Sequence, residues 1–189
     1  MKNTKNALVL FSGGIDSSAC IYFYKKNGFK VKGLFVNYGQ KAIKQEASSV
    51  KALSKYFKIQ VDIIEITTNL LIASNGIIQG RNNLLISIAL MNFPYSNGVI
   101  SLGVHSGTHF PDCSTEFIQQ AQRIIDFYSD GNIVIDCPFI NMTKLDIYKF
   151  CLKNELPLNL TYSCELGEKQ PCGKCSTCKD LNAIYESKD

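Results

Sequence analysis

The sequence predicts an α/β fold: a five-stranded parallel sheet, doubly wound by helices, followed by a small cysteine-rich segment. Three observations carry this. Short apolar runs alternate with longer segments of helical spacing, the pattern of strand–crossover–strand units whose right-handed connections keep strands parallel. Hydrophobic residues make up 46% of the 189 positions and charged residues 19%, enough apolar content for a sheet covered on both faces. Four of the eight cysteines crowd into positions 164–178.

The elements follow in order. Residues 7–11, ALVLF, read as a buried strand, and 16–27 as a helix stopped by Gly28. Residues 30–37 are the second strand. Residues 41–57 are helical, with Ile43, Ala47, Val50, Ser54 and Phe57 roughly on one face. Residues 59–66 alternate as the third strand, and 82–93 form an apolar helix after QGRN. A fourth strand at 99–104, a helix at 114–128 and a fifth strand at 133–137 follow. Thr143 is expected to cap a last helix reaching about residue 154. Character shifts only near 157–163. Residues 1–156 are therefore expected as one α/β unit, with 157–189 packed on it.

A net charge of +4 permits an anionic ligand and is too small to argue for nucleic acid. The opening MKNTKNALVLF has lysines and then five apolar residues, too few for a signal peptide, and no stretch reaches membrane-spanning length. A cytoplasmic location without membrane contact is expected. In that reducing compartment the cysteines are not a disulfide framework.

Ligands of open parallel sheets bind beyond the carboxyl ends of the strands. That singles out 12–17, 38–41, 69–82, 105–112 and 138–144. The first holds FSGGIDSS. Its glycines let the backbone approach a ligand, a helix starting at Asp16 or Ser17 aims N–H groups at the same spot, and Ser12, Ser17 and Ser18 add hydroxyls. The result is an anion cradle, or else an ordinary turn with Asp16 as N-cap. It lacks the lysine of the Walker loop and is neither a dinucleotide fingerprint nor a hydrolase elbow. SGGIDS resembles the SGGxDS loop of the PP-loop ATP pyrophosphatases, which have an adenine nucleotide alpha hydrolase-like fold. That resemblance implies that the loop grips the pyrophosphate of ATP while an acid attacks the α-phosphorus. Holding the β and γ phosphates stabilises them as a leaving group, with Mg²⁺ sharing the charge.

Cys164, Cys172, Cys175 and Cys178 have the spacing C-x7-C-x2-C-x2-C. Four thiolates suit tetrahedral Zn²⁺ at a structural site without an open position. An iron–sulfur cluster is the alternative, although its usual run places the fourth cysteine downstream; free thiols are the third reading.

Taken together, the motifs resemble the QueC, or 7-cyano-7-deazaguanine synthase, family from about Leu8 to Ala183. YGQKAIKQE at 38–46 resembles its YGQ-x5-E segment. GRN at 80–82 matches its PGRN, with Gln79 in place of proline. PDC at 111–113 followed by Phe117 matches its PDC-x3-F, and the run from Thr161 to Cys178 resembles its zinc tail. The resemblance implies ATP-dependent activation of 7-carboxy-7-deazaguanine, then ligation to ammonia giving an amide and, after a second activation, the nitrile used for queuosine. It also implies a homodimer.

On that resemblance, ATP would be bound by Phe11, Ser12, Gly13, Gly14, Ile15, Asp16, Ser17 and Ser18, with Arg81 and Asn82. Asp16 would organise Mg²⁺. Arg81 would face a phosphate or the substrate carboxylate, unless it forms a surface salt bridge. Asn82 would read a base edge or cap its helix. Asp112 would accept from the ring N–H and amino group of a guanine-like base, or cap the helix at 114. Lys144 would steady phosphate or be solvated. Tyr38 and Gln40 would line the pocket, Tyr38 stacking on a base, unless their loop bonds only to itself. His105 and His109 are acid–base candidates. Cys113 reads better as a small packing residue than as a nucleophile.

The chain departs from the family around the substrate. Lys41-Ala42 replaces Arg-His, Ser114 replaces arginine, Phe110 replaces tyrosine, and the chain is short between strands three and five. A QueC-like anti-phage enzyme that joins the activated deazaguanine to another amine, including a protein amine, is therefore the alternative function. A tRNA-modifying PP-loop enzyme fits less well, because the chain has no room for an RNA-binding domain.

Overall fold

Ala7, Leu8 and Val9 are completely buried, as a strand with helices on both faces must be. They belong to the central strand of a computed structural model that describes residues 5–67, 78–106 and 110–186. The strands are β1 (Asn6–Leu10), β2 (Lys30–Asn37), β3 (Val61–Glu65), β4 (Gly98–Ser101) and β5 (Ile133–Asp136). They pair in the order β3-β2-β1-β4-β5, and all four pairings are parallel.

Helices cover both faces. Ala7, Val9 and Phe11 pack with residues of α1 (Ile15–Lys26), α2 (Ile43–Phe57) and α5 (Lys144–Lys153). Leu8 and Leu10 point the other way, into a second core with α3 (Arg81–Met91) and α4 (Thr115–Ser129). The alternation along β1 is the pleat expressed as two cores. The chain leaves β1 toward β2 and β3, then returns to β4 on β1's other side. The reversal opens a crevice between the carboxyl ends of β1 and β4, where α/β proteins bind ligands.

Local side-chain caps set the starts of α4 and α5. Thr143 forms the expected N-cap: its hydroxyl accepts from Asp146 N, and the Asp146 carboxylate accepts from Thr143 N, a reciprocal capping box. Ser114 caps α4 by accepting from Phe117 N. Several bounds differ from expectation. Helix α1 starts at Ile15 with Gly14 as N-cap, so Asp16 lies inside the first turn and does not cap it. Strand β4 ends at Ser101, which leaves Leu102, Gly103 and Val104 to wall the crevice. The eleven-residue helix α6 (Ser176–Glu186) was not expected. Its Ile184 joins the first core, with Leu181 packed against it, so tertiary burial stabilises a helix that the cysteine pattern masks. Among the described residues, no helix is long and apolar enough to cross a membrane.

Candidate active site

The loop after β1 is held by what its glycines omit. Gly13 has φ +79°, and a Cβ there would lie 2.9 Å from Ser49 Cβ and 3.0 Å from Val50 N. The loop thus seats directly on α2. From the other side, Gly103 presses on α1: its missing Cβ would come within 3.0 Å of Asp16 and Ser17 N. Gly14 offers no side-chain cap. The positive end of α1 therefore faces the crevice between β1 and β4.

Asp16 Oδ2 forms an ion pair with Lys144 Nζ at 2.5 Å, joining the first turns of α1 and α5. The other oxygen, Asp16 Oδ1, is buried and has no hydrogen-bond partner among the described residues, an arrangement that a bound cation would satisfy. Ser17 Oγ donates to Gly14 O at 3.2 Å and lies 3.4 Å from Ser12 Oγ. Ser18 Oγ donates to Gly14 O at 2.8 Å and is nearly fully buried, so its hydroxyl serves the turn itself. Ile15 is likewise a core residue.

A cavity of about 240 Å³ opens in front of this loop. Phe11, Ser12, Gly14, Asp16 and Ser17 form one wall. Tyr38, Gln40, Glu46, Arg81 and Asn82 line the cavity as well, with Leu10, Leu34, Leu85, Leu102 and Val104 among the apolar lining. Gln40 both lines the cavity and bonds within its own loop. Its Oε1 accepts from Tyr38 N at 2.9 Å, and its Nε2 donates to Val36 O and to Glu46 Oε2, the latter at 2.8 Å. Burial pushes the Glu46 carboxyl above its ordinary value, against the pull of the Gln40 amide and the Arg81 guanidinium. Burial also raises Tyr38, opposed by Arg81.

Asn82 is buried, and it sits inside α3 rather than capping it. Its Nδ2 donates to Asp112 O at 2.9 Å, and its Oδ1 accepts from Arg81 Nε at 3.3 Å. Asp112 Oδ2 accepts from Asn82 N at 3.3 Å, so this carboxylate addresses the start of α3. Asp112 and Lys144 stand beside the cavity and are not among its lining residues; Cys113, half-buried, is. His105 is nearly buried, its Nδ1 2.6 Å from Ser106 O. His109 and residues 69–77 lie outside the described residues.

The four clustered cysteines converge. Their sulfurs all lie within 4.8 Å of one another, and Cys172 Sγ is 3.9 Å from Cys178 Sγ. A tetrahedral ion with metal–sulfur bonds of about 2.3 Å sets its sulfurs roughly 3.8 Å apart. This set therefore suits a single ion, and none of the eight cysteines is in a disulfide. Backbone N–H groups of Lys174 and Cys175 point at Cys172 Sγ, the donor shell that stabilises thiolates. Burial opposes ionisation of Cys164, yet N–H donors from Cys172 and Leu166 and the Tyr162 hydroxyl bring it down to about 6. Burial and the neighbouring Cys175 push Cys178 up to about 12. A cation lets all four ionise together.

The cysteine segment is bolted to the loop. Tyr162 N donates to Gly13 O at 3.0 Å, and Ile15 N donates to Ser163 Oγ at 3.4 Å. Gly167, at φ +74°, sits against the backbone of Lys41 and Ala42 so closely that any side chain would collide. Sequence reasoning missed Glu46 as a site residue, together with Ser163 and Gly103. Glu46 closes the YGQ-x5-E segment, a signal that could have found it; Ser163 and Gly103 act on neighbours far along the chain, and no local pattern marks them.

The parallel sheet and the lysine-free glycine loop at its switch point define a nucleotide-binding α/β protein of the PP-loop type. A solved structure from Methanocaldococcus jannaschii, described as a predicted subunit of a tRNA methyltransferase, shares the fold with a TM-score of 0.61. It is 20% identical and aligns 78% of this chain with 74% of that one. The family model described as "Queuosine biosynthesis protein QueC" matches residues 6–80 and 71–188. A 7-cyano-7-deazaguanine synthase of Prochlorococcus marinus (strain AS9601) is 32% identical over an alignment of 218 positions, covering 98% of this chain and 95% of the relative. One from Campylobacter jejuni (strain 81116) is 30% identical, covering 93% and 91%. The chain belongs to the QueC family.

Proposed function

We propose that this chain activates 7-carboxy-7-deazaguanine with ATP, releasing pyrophosphate, and joins the activated acid to ammonia. The first product is the amide, and a second activation gives 7-cyano-7-deazaguanine. The observation that carries this reading is the Gly13–Gly14 loop at the β1/β4 switch point, facing a 240 Å³ cavity. Relatives named for that synthase, aligned over nearly the whole chain, support the choice of acid.

A carboxylate resists attack because it is anionic and would expel oxide. Adenylation turns that oxygen into a leaving group. The loop backbone, Ser12 and Ser17 hold the departing pyrophosphate in this reading. Asp16, kept in place by Lys144, would hold Mg²⁺, which supplies charge neutralisation. Arg81 faces the cavity and offers its planar fork to phosphate or carboxylate. The cysteine set would hold structural Zn²⁺. Residues 157–189 then form a metal-braced segment on an ATP-binding unit of residues 1–156.

A second reading, transfer to a different amine such as a protein amine, draws on the substrate side. Ala42 is 2% exposed and Ser114 spends its hydroxyl capping α4. Neither offers the cationic or imidazole group that the family commonly carries there.

The test incubates the protein with Mg-ATP, 7-carboxy-7-deazaguanine and ammonium, and follows pyrophosphate, AMP, amide and nitrile by mass spectrometry. Pyrophosphate without amide or nitrile removes the synthase reading and favours another acceptor, to be sought as a mass increase on added protein. Asp16→Asn is expected to lower pyrophosphate release by about 100-fold or more with an unchanged circular dichroism spectrum; unchanged turnover would refute the role of the loop.

A further inference from the structure

Glu46 is the group in the cavity that the activation step leaves unused. It stands in the first turns of α2, directly behind the phosphate loop: its carbonyl oxygen is 3.2 Å from where a Gly13 Cβ would be. Its side chain lines the cavity together with those of Tyr38 and Arg81. Oε2 accepts from Gln40 Nε2, which leaves Oε1 for a ligand. Among the described residues, Glu46 has no ion-pair partner, whereas Asp16 is paired with Lys144.

The other ionisable groups lining the cavity are Asp16 on α1, Tyr38 after β2, Arg81 on α3 and Cys113 before α4. Arginine does not give up its proton in proteins, and burial holds the Tyr38 phenol protonated. Among the described residues lining the cavity, Glu46 combines a carboxylate outside any ion pair with a place beside the phosphate loop, and Arg81 is the cation that acts on it from within the cavity. Burial raises the Glu46 carboxyl above its ordinary value, which makes the carboxylate a stronger proton acceptor.

Resting on the reading that this cavity adenylates an acid for attack by an amine, we propose that Glu46 takes the proton from the incoming ammonium ion. The bound ammonium gives one N–H proton to Oε1. The freed lone pair forms the C–N bond at the acyl carbon, the C–O bond to the adenylate breaks, and AMP departs with that electron pair. The amine sheds its second proton to water, giving a neutral amide. A negative oxygen at this place also attracts the cation. Gln40, which bonds both Glu46 and its own loop, is the positioning residue that aims it.

The test separates this step from activation. Glu46→Gln keeps acid-dependent pyrophosphate–ATP exchange within about threefold of wild type and loses amide formation from ammonium by about 10²–10⁴-fold. Hydroxylamine, unprotonated near neutral pH, restores amide-type product in the variant to within about tenfold of wild type. The wild-type protein supplies a variant-free readout. At fixed, sub-saturating total ammonium, its amide rate levels off between about pH 6 and 8, whereas a site that needs free ammonia climbs about tenfold per pH unit.

Unchanged amide formation in Glu46→Gln, parallel loss of exchange and amide, or a steady tenfold climb in wild type would each overturn the proposal. If wild type shows no exchange with this acid, the adenylation reading itself falls and takes the Glu46 step with it, a result distinct from the others.

Discussion

Replacing Gly13 with alanine probes the point where the phosphate loop meets α2. At φ +79° an L-residue pays about 1–2 kcal/mol of left-handed strain. The new methyl also lands 2.9 Å from Ser49 Cβ, 3.0 Å from Val50 N and 3.2 Å from Glu46 O. Two of those three atoms are helix backbone and cannot rotate away, so overpacking adds about 1–3 kcal/mol. The sum, roughly 2–5 kcal/mol, lowers the melting temperature by about 4–20 °C in a chain of this size. Gly28 is the matched control: its φ is +76° and nothing lies within 4 Å of its missing Cβ. Gly28→Ala therefore carries the strain alone, worth about 2–8 °C. Thermal unfolding by circular dichroism, with and without Mg-ATP, measures both. The ATP-induced rise in melting temperature should survive in Gly28→Ala and shrink in Gly13→Ala, because relief of the clash moves the loop off α2. Equal melting losses in the two variants would refute the packing argument, and equal ATP protection would refute the loop as the nucleotide grip.

Further outcomes are expected at the cysteine cluster and at the α5 cap. The purified protein should contain about one zinc per chain, and chelation should lower both its melting temperature and its ATP affinity, since Tyr162 and Ser163, next to Cys164, bond Gly13 and Ile15; iron with sulfide would overturn the metal assignment, and unchanged ATP affinity would overturn the coupling. Thr143→Ala should cost about 1 kcal/mol through the α5 cap, read as a melting shift of about 2–4 °C. The Thr143 hydroxyl and N–H hold Asp146 below its usual 3.8. A depressed carboxylate stabilises above its unfolded value and loses that contribution as pH falls through the folded one. The deficit of Asp146→Asn should therefore shrink on acidification; a deficit independent of pH would refute the box.

Much of the fold was legible because its signals are local. Apolar runs of strand length, the glycines at 13 and 14 and the Thr143 cap each act over a few residues. The convergence of four cysteines could likewise be read from their spacing. The limits of α1 and β4 were misjudged because a loop pressed between two glycine contacts has no sequence signature. Helix α6 was overlooked for a related reason: its stability comes from burying Ile184 beside α5 and β1 residues, which its own propensities do not report.

The sequence by itself determined the alternation of strands and helices, the phosphate-type loop, the metal-type tail and the family. All of these depend on residues close together in the chain. Only the tertiary structure decided which side chains share the cavity. Asp16 meets Lys144 across 128 positions, Ile15 meets Ser163 across 148, and Asn82 meets Asp112 across 30. Glu46 and Arg81 line one cavity although they come from α2 and α3, which pack into the two different cores. Distances of that kind are set by how the two cores pack against the sheet, and no local pattern encodes them.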